Sequence, residues 1–305
     1  MPASCDKLVI FDGNAIMHRA YHALPPLTSR NGEPINAVYG LVSMLLKVIQ
    51  DIRPTHIVFA FDRPEPTFRK EILKSYQAQR PEMEESLSVQ FKKAIDVVKA
   101  FGIPVYDKPG FEADDVIGSI VANNKKAKFK ILIVTGDRDM LQLVDEKHDV
   151  RLYMPIKGLS DAKEFGVAET IERMGVYPEQ IVDFKALVGD SSDNYKGIPG
   201  IGPKTAVALL KKYKSLDDIY NNLEELPKNT SEKLIKFKDL AYLSQKLAKI
   251  VTDVDINFDL KQAQKWDLDS EKLTKIFEQF GFRTLKQRVK ELSKAMKKEK
   301  QMSLL

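Results

Sequence analysis

The feature that most limits how this chain can fold is the run Lys130-Ile131-Leu132-Ile133-Val134-Thr135-Gly136-Asp137-Arg138-Asp139. Apolar, mostly β-branched residues lead into Thr-Gly and then into two aspartates at i and i+2. The pattern predicts a strand buried on both faces of a parallel sheet and ending at its carboxyl edge. Ligands bind at that edge in open α/β sheets. Two carboxylates held there repel by about 4 kcal/mol at about 4 Å and an effective dielectric of about 20. A fold keeps such a pair only if it is solvated, hydrogen-bonded, capping a helix or neutralised by a cation.

The same pattern recurs. Lys7 to Asp12 (KLVIFD) and Thr55 to Asp62 (THIVFAFD) read as buried strands ending in an aspartate, with weaker strands at 104–106 and 150–154. Helical periodicity fills the intervals at 36–52, at 84–101 and from Glu112 to about residue 125. Alternation of this kind predicts an α/β fold over residues 1–165, with a mainly parallel central sheet flanked by helices. Strands ending in Asp at one edge would bring Asp12, Asp62, Asp137 and Asp139 together. Beyond about residue 165 the periodicity is only helical, at 167–174, 178–188, 203–213, 231–237, 239–249, 270–280 and 284–298. A second, helical region is therefore expected over 166–290, packed on the first.

At 305 residues the chain can bury one large core or two modest ones. Its net charge of +5 suits a polyanionic partner, and the excess is uneven. Eight Lys/Arg against two Glu lie between Arg283 and Lys300. Residues 291–305 are expected to form a basic, disordered tail. Cys5 is the only cysteine, which excludes an internal disulfide or a thiolate metal cluster and suits a reducing compartment. The apolar run Leu8 to Phe11 is too short for a signal peptide, and no stretch approaches the roughly 18 apolar residues of a membrane span. A soluble cytoplasmic protein is expected.

Gly110-Phe111-Glu112-Ala113-Asp114-Asp115 opens the third helix. Acidic residues in a first turn favour the helix dipole, which accounts for one or two of them but not three. Gly189-Asp190-Ser191-Ser192-Asp193-Asn194 adds a pair at a helix C-terminus, where a carboxylate opposes the dipole. The full set is Asp12, Asp62, Glu112, Asp114, Asp115, Asp137, Asp139, Asp190 and Asp193. Oxygen donors without His or Cys at ligand spacing select Mg²⁺ or Mn²⁺ over zinc. The number exceeds what one ion needs and fits two or more, the device that recurs in phosphodiester hydrolysis.

Gly197-Ile198-Pro199-Gly200-Ile201-Gly202-Pro203-Lys204-Thr205-Ala206 is either a glycine-rich interhelical turn or a phosphate-binding hairpin. Following an acidic pair, the second reading is preferred. Gly197, Gly200 and Gly202 let backbone N–H groups approach a phosphate, and Lys204 and Thr205 stand in the first turn of the next helix. Such a hairpin grips a duplex by its backbone, without sequence preference and with steep salt dependence.

The segments FDGNAIMHRAYHALP, NGEPINAVYG, FAFDRPEPTFRKE, GFEADD, VTGDRDMLQLV and LVGDSSDNYKGIPGIGPKTA, in this order over about residues 7–215, resemble the 5′ nuclease family. That family comprises the 5′→3′ exonuclease domain of bacterial DNA polymerase I and the flap endonucleases. This chain resembles a free-standing member. The resemblance implies a PIN-like core with a helical arch at about 66–100, and a helix-hairpin-helix at about 185–213 that holds K⁺ through the carbonyls of Ile198 and Ile201. It implies Mg²⁺-dependent removal of 5′ flaps, 5′ ends at nicks and RNA primer remnants in replication and repair, by a monomer associated with the nucleoid. All nine carboxylates fall on the family's metal positions. Arg19 and Arg80 match basic residues near the reacting phosphate, and Arg69, Lys70 and Tyr76 match arch-side DNA contacts.

One departure is clear: the arch motif Tyr-Lys-x-x-Arg here reads Tyr76-Gln77-Ala78-Gln79-Arg80. Gln77 offers no positive charge. Either catalysis is weakened or Lys74, one turn earlier, compensates; a Lys74→Ala variant with unchanged turnover would exclude that compensation. The terminal Gln301-Met302-Ser303-Leu304-Leu305 resembles the pentapeptide by which replication proteins dock on a sliding clamp. Two other functions compete with the nuclease reading. A DNA-junction-binding protein with weakened catalysis is disfavoured by the intact acidic set, and a phosphohydrolase of small esters by the hairpin.

Overall fold

A computed structural model describes residues 6–125, 127, 129–157 and 161–302. β1 (Lys7–Asp12) enters α1 (Gly13–Ala23) without a loop, because Asp12 both ends the strand and caps the helix by accepting the Ala15 N–H at 2.9 Å. α2 (Asn36–Ile52), β2 (His56–Ala60), α3 (Phe68–Ile72), α4 (Glu85–Ala100), β3 (Val105–Tyr106) and α5 (Ala113–Asn124) follow. β4 (Lys130–Val134), β5 (Val150–Lys157) and β6 (Asp161–Phe165) complete a sheet of order β3-β2-β1-β4-β5-β6. The first five strands are parallel and β6 is antiparallel to β5.

Strand order runs outward from β1 in both directions. The carboxyl ends of β1 and β4, which pair directly, therefore flank the crevice where such sheets bind ligands. Alternate residues of these strands serve opposite cores. Leu8, Ile10, Ile131 and Ile133 pack on one face, and Val9, Phe11, Leu132 and Val134 on the other. This two-sided burial explains the uninterrupted apolar runs.

The remaining elements are α6 (Val167–Met174), α7 (Ile181–Val188), a hairpin of β7 (Gly189–Asp190) and β8 (Tyr195–Lys196), α8 (Pro203–Tyr213), α9 (Leu216–Asn221), α10 (Lys228–Lys236), α11 (Lys238–Ala248), α12 (Leu260–Ala263), α13 (Glu271–Phe280) and α14 (Arg283–Met302). Ala186, Leu187, Leu209 and Leu210 of α7 and α8 join the first core, while Phe277, Leu285 and Val289 of α13 and α14 join the second. The helical region thus closes both faces of the sheet and shares its cores.

Three expectations change. β6 has no apolar run to announce it, and its strand form is imposed by pairing with β5. Of the residues expected in an arch over about 66–100, those of α4 pack in the body instead, since its Leu87, Ala94, Val97 and Val98 belong to the second core. The tail expected to be disordered from 291 continues α14 through Met302, anchored by buried Leu285, Val289 and Leu292 at helical spacing. Its basic residues are the outer face of an amphipathic helix. Ser303, Leu304 and Leu305 lie outside the described residues. No helix among the described residues is long and apolar enough to cross a membrane.

Candidate metal centre and nucleic-acid interface

Asp12, Asp62, Glu112, Asp114, Asp137, Asp139 and Asp193 line one cavity of about 530 Å³ at the carboxyl edge of the sheet. Each is delivered by a separate local device. Asp12 ends β1, and its second oxygen accepts the Thr135 hydroxyl at 2.7 Å. Asp62 follows β2 and accepts the Ala113 N–H of α5 at 2.6 Å. Asp137 accepts the Asp139 N–H at 2.8 Å, so the turn after β4 holds both carboxylates. Glu112 caps α5 in a box with Asp115.

The acids form two groups. Asp12, Asp62, Glu112, Asp114 and Asp137 repel one another around the β1–β4 crevice. Asp139, Asp190 and Asp193 bring ligand oxygens within 4.8 Å of one another. Burial pushes both Asp12 and Glu112 up to about 7, with neighbouring carboxylates adding to it. Burial also raises Asp114 well above the carboxylate range, with Asp137 and Asp12 contributing, and raises Asp139 to about 6. Hard oxygen donors so crowded that they hold protons near neutrality fit a divalent cation, which would replace those protons.

Asp115 departs from the others. It is fully buried, and its oxygens take a bidentate Arg69 at 2.7 and 2.8 Å, the Val251 N–H at 2.9 Å and the Glu112 N–H at 3.1 Å. It has no face toward the cavity, so the metal-ligand expectation is corrected to a structural one. Arg69 is buried in the same network, bonding also to the carbonyls of Leu247 and Lys249, and it borders the cavity beside Glu112. Tyr76 is likewise buried; its hydroxyl meets Asp193 at 3.3 Å and Glu112 at 3.4 Å, and its ring packs with Tyr195. Arg69 and Tyr76 both line the cavity, with their polar atoms engaged by the acids.

Lys70 and Arg80 also line the cavity, together with Arg63, His18 and Gln77. Arg80 bonds Asp193 at 2.6 Å, and Gln77 reaches the same carboxylate at 3.3 Å. Lys74 is exposed and outside the lining. Arg19 lies against the Gly136 turn, where a Cβ would meet its Nη1 at 3.9 Å.

The hairpin stands beside this cavity, through β7 and β8. Gly197 leaves no space for a side chain, since a Cβ would fall 2.3 Å from Gly189 N, and Gly200 adopts a φ of +79°. Ile201 N–H donates to Ile198 O at 3.0 Å, which closes the turn. Gly202 caps α8 in open space with Pro203 in its first turn, and Lys204 and Thr205 are exposed.

Comparison with known proteins places this arrangement. Residues 7–175 match the model of the 5′-3′ exonuclease N-terminal resolvase-like domain, and 176–272 match that of the 5′-3′ exonuclease C-terminal SAM fold. The chain belongs to the 5′-3′ exonuclease family. It is 38% identical to the 5′-3′ exonuclease of Aquifex aeolicus, over 97% of this chain and 99% of that protein. It is 41% identical to DNA polymerase I of Caldicellulosiruptor bescii over 93% of this chain, and spans 33% of that polymerase's length. In fold it resembles T5 5′-exonuclease with divalent metal ions (zinc) bound, at a TM-score of 0.67 and 22% identity, covering 94% and 98% of the two chains. Flap endonuclease-1 from Methanococcus jannaschii gives a TM-score of 0.58 at 17% identity, covering 97% and 94%.

Two further residues meet the acids of this site, Lys185 and Tyr195. Lys185 is buried and bridges Asp139 and Asp190, lying 2.5 Å from the latter. As the one basic residue in apolar α7, five positions before Asp190, it could have been flagged as a cation needing a carboxylate. Burial would raise Asp190, but Lys185 and Ser192 outweigh it and hold the carboxyl low. Tyr195 faces Asp190 across the β7–β8 ladder.

The raised carboxyls make a pH prediction. With Asp12 and Glu112 at about 7, the metal-free folded state binds more protons than the unfolded chain from about pH 4 to 7, so their contribution to stability is lost as pH rises through that window. A divalent ion binds the deprotonated form and opposes the loss. The Mg²⁺-induced rise in Tm should be near zero at about pH 5 and reach several degrees by about pH 8. Melts with Mg²⁺ and with chelator check this; equal increments at both pH values would mean that the carboxyls are already ionised in the metal-free protein.

Proposed function

We propose that this nuclease cuts DNA at 5′ flaps, nicks and 5′ ends, and removes RNA primer remnants, using two or more Mg²⁺ or Mn²⁺ ions. The observation that carries the proposal is the division of the acids into two groups, one lining the cavity and one at its edge, where Asp139 and Asp193 of the lining meet Asp190. Asp12, Asp62, Glu112, Asp114 and Asp137 would hold one ion, and Asp139, Asp190 and Asp193 the other. Held there, such ions would supply the positive charge that activates a water and offsets the charge developing on the phosphate. Arg80 and Lys70, on the cavity wall, would orient the phosphate and supply the positive charge that Gln77 lacks. The exposed first turn of α8, with Gly202, Lys204 and Thr205, would grip the duplex backbone, and the carbonyls of Ile198 and Ile201 would hold K⁺. The protein would act as a monomer in the cytoplasm, at the nucleoid.

A 5′-labelled flap duplex should release its labelled fragment with Mg²⁺ and remain intact in chelator, while an aryl phosphate is untouched. Tight flap binding without cleavage in Mg²⁺ would favour the junction-binding reading, for which the substitution at Gln77 and the Arg80–Asp193 pair are the grounds.

The C-terminus would dock on a sliding clamp through Gln301 to Leu305. Gln301 and Met302 end α14, where Met302 is 67% exposed. Removing 301–305 should abolish clamp pull-down and leave cleavage by the isolated protein unchanged; retained pull-down would exclude this partner site.

A further inference from the structure

Among the described residues, Tyr195 Oη is the one buried side-chain nitrogen or oxygen that has no hydrogen-bond partner. An unpaired buried hydroxyl destabilises a fold, so its retention points to a partner in another state. The residue is 5% exposed and is paired with Asp190 across the β7–β8 ladder, which puts both side chains on one face. Its ring is held parallel to that of Tyr76 at 6.5 Å. The charged groups acting on its hydroxyl are Lys185, Asp139, Asp190 and Asp193.

Those groups share a conflict. The Lys185 ammonium bonds Asp139 and Asp190, and these two carboxylates with Asp193 form the tightest oxygen cluster of the site. A divalent ion held by the three acids would compete with the ammonium for the same lone pairs and repel its charge. Lys185 cannot withdraw into water, because its side chain is only 9% exposed. A buried ammonium needs an acceptor, and Tyr195 offers a neutral oxygen with unfilled lone pairs on the same face.

We propose that Tyr195 is a positioning residue that receives Lys185: when a divalent ion occupies Asp139, Asp190 and Asp193, the ammonium turns away and donates to the phenolic oxygen. Lys185 holds the acids together in the metal-free protein, and Tyr195 makes its displacement tolerable. The inference rests on the metal-site reading above.

The test measures Mn²⁺ binding to the full chain by electron paramagnetic resonance, with thermal melts alongside. Tyr195→Phe should weaken one Mn²⁺ site by about tenfold and leave any other unchanged. Lys185→Met should tighten that site, and in its background Tyr195→Phe should have no further effect. In chelator, Tyr195→Phe should melt at or above the wild-type temperature, because it deletes an unpaired hydroxyl, and its Mn²⁺-induced rise should be the smaller one. This melting comparison stands even if Lys185→Met does not fold. Wild-type affinity in Tyr195→Phe overturns the proposal, as does an equal loss with and without Lys185, or a Tyr195→Phe protein that melts lower in chelator. A wild-type protein that binds no Mn²⁺ overturns the metal-site reading and this inference together; wild-type binding with an unaffected Tyr195→Phe overturns this inference alone.

Discussion

Asp114→Asn is expected to lower turnover on a flap substrate by about a thousandfold or more, equivalent to about 4 kcal/mol of lost transition-state stabilisation. Asp114 stands in the first turn of α5 and faces Asp137, Asp12, Glu112 and Asp62. An amide there keeps the shape and the hydrogen-bonding capacity but removes a charge from the group that would hold an ion. In chelator, at a pH high enough to ionise this raised carboxyl, the same change relieves repulsion in a crowded pocket, so the metal-free variant should melt above the wild type. The opposite signs are diagnostic, since a merely structural aspartate would lose stability when neutralised. Flap affinity measured in Ca²⁺ should stay within about threefold, because the duplex grip assigned to α8 rests on backbone phosphate contacts. Single-turnover kinetics and a melting curve read both halves of the prediction.

Arg69→Met should produce the largest loss of stability, about 3–5 kcal/mol by chemical denaturation, as expected when one partner of a buried ion pair is removed. Arg69 joins three distant segments. Its guanidinium meets Asp115 in α5 twice, and reaches the carbonyls of Leu247 and Lys249 at the end of α11. Methionine fills much of the volume but leaves a charged carboxylate and two carbonyls without those bonds. Asp115→Asn in the same chain should recover more than half of the loss by removing the stranded charge. A loss below about 1 kcal/mol would place Asp115 in contact with solvent or a cation instead, and restore it as a metal-ligand candidate.

The architecture was readable because a doubly covered parallel strand must be apolar at every position and polar where it ends. Lys7–Asp12 and Lys130–Val134 show that signature, and the strands form where it predicts. The convergence of Asp12, Asp62, Asp137 and Asp139 follows from it, since parallel strands share one carboxyl edge. β6 was unreadable because Asp161-Ala-Lys-Glu-Phe has no apolar alternation of its own, and its conformation comes from the ladder with β5. Residues 291–302 misled for the converse reason. Their lysines dominate the composition, while the helix depends on a few apolar residues whose neighbours lie on α2 and α13.

The chain's residue order by itself determined the elements whose pattern is local (β6 and the end of α14 excepted), the edge at which the strand-end acids meet and the glycine-rich hairpin after them, because strand period, capping and glycine conformation are local properties. Tertiary structure alone decided what each charge does. Arg69 and Asp115 look like their neighbours in sequence, yet they are lost to solvent because they lie 46 positions apart and meet in a dry interior. Tyr195 enters the site because a two-residue ladder sets it on one face with Asp190, and Lys185 because it reaches Asp139 and Asp190 from α7. Burial and partnership are set by segments far apart in the chain, and these fix whether a carboxylate is a ligand, a cap or half of an ion pair.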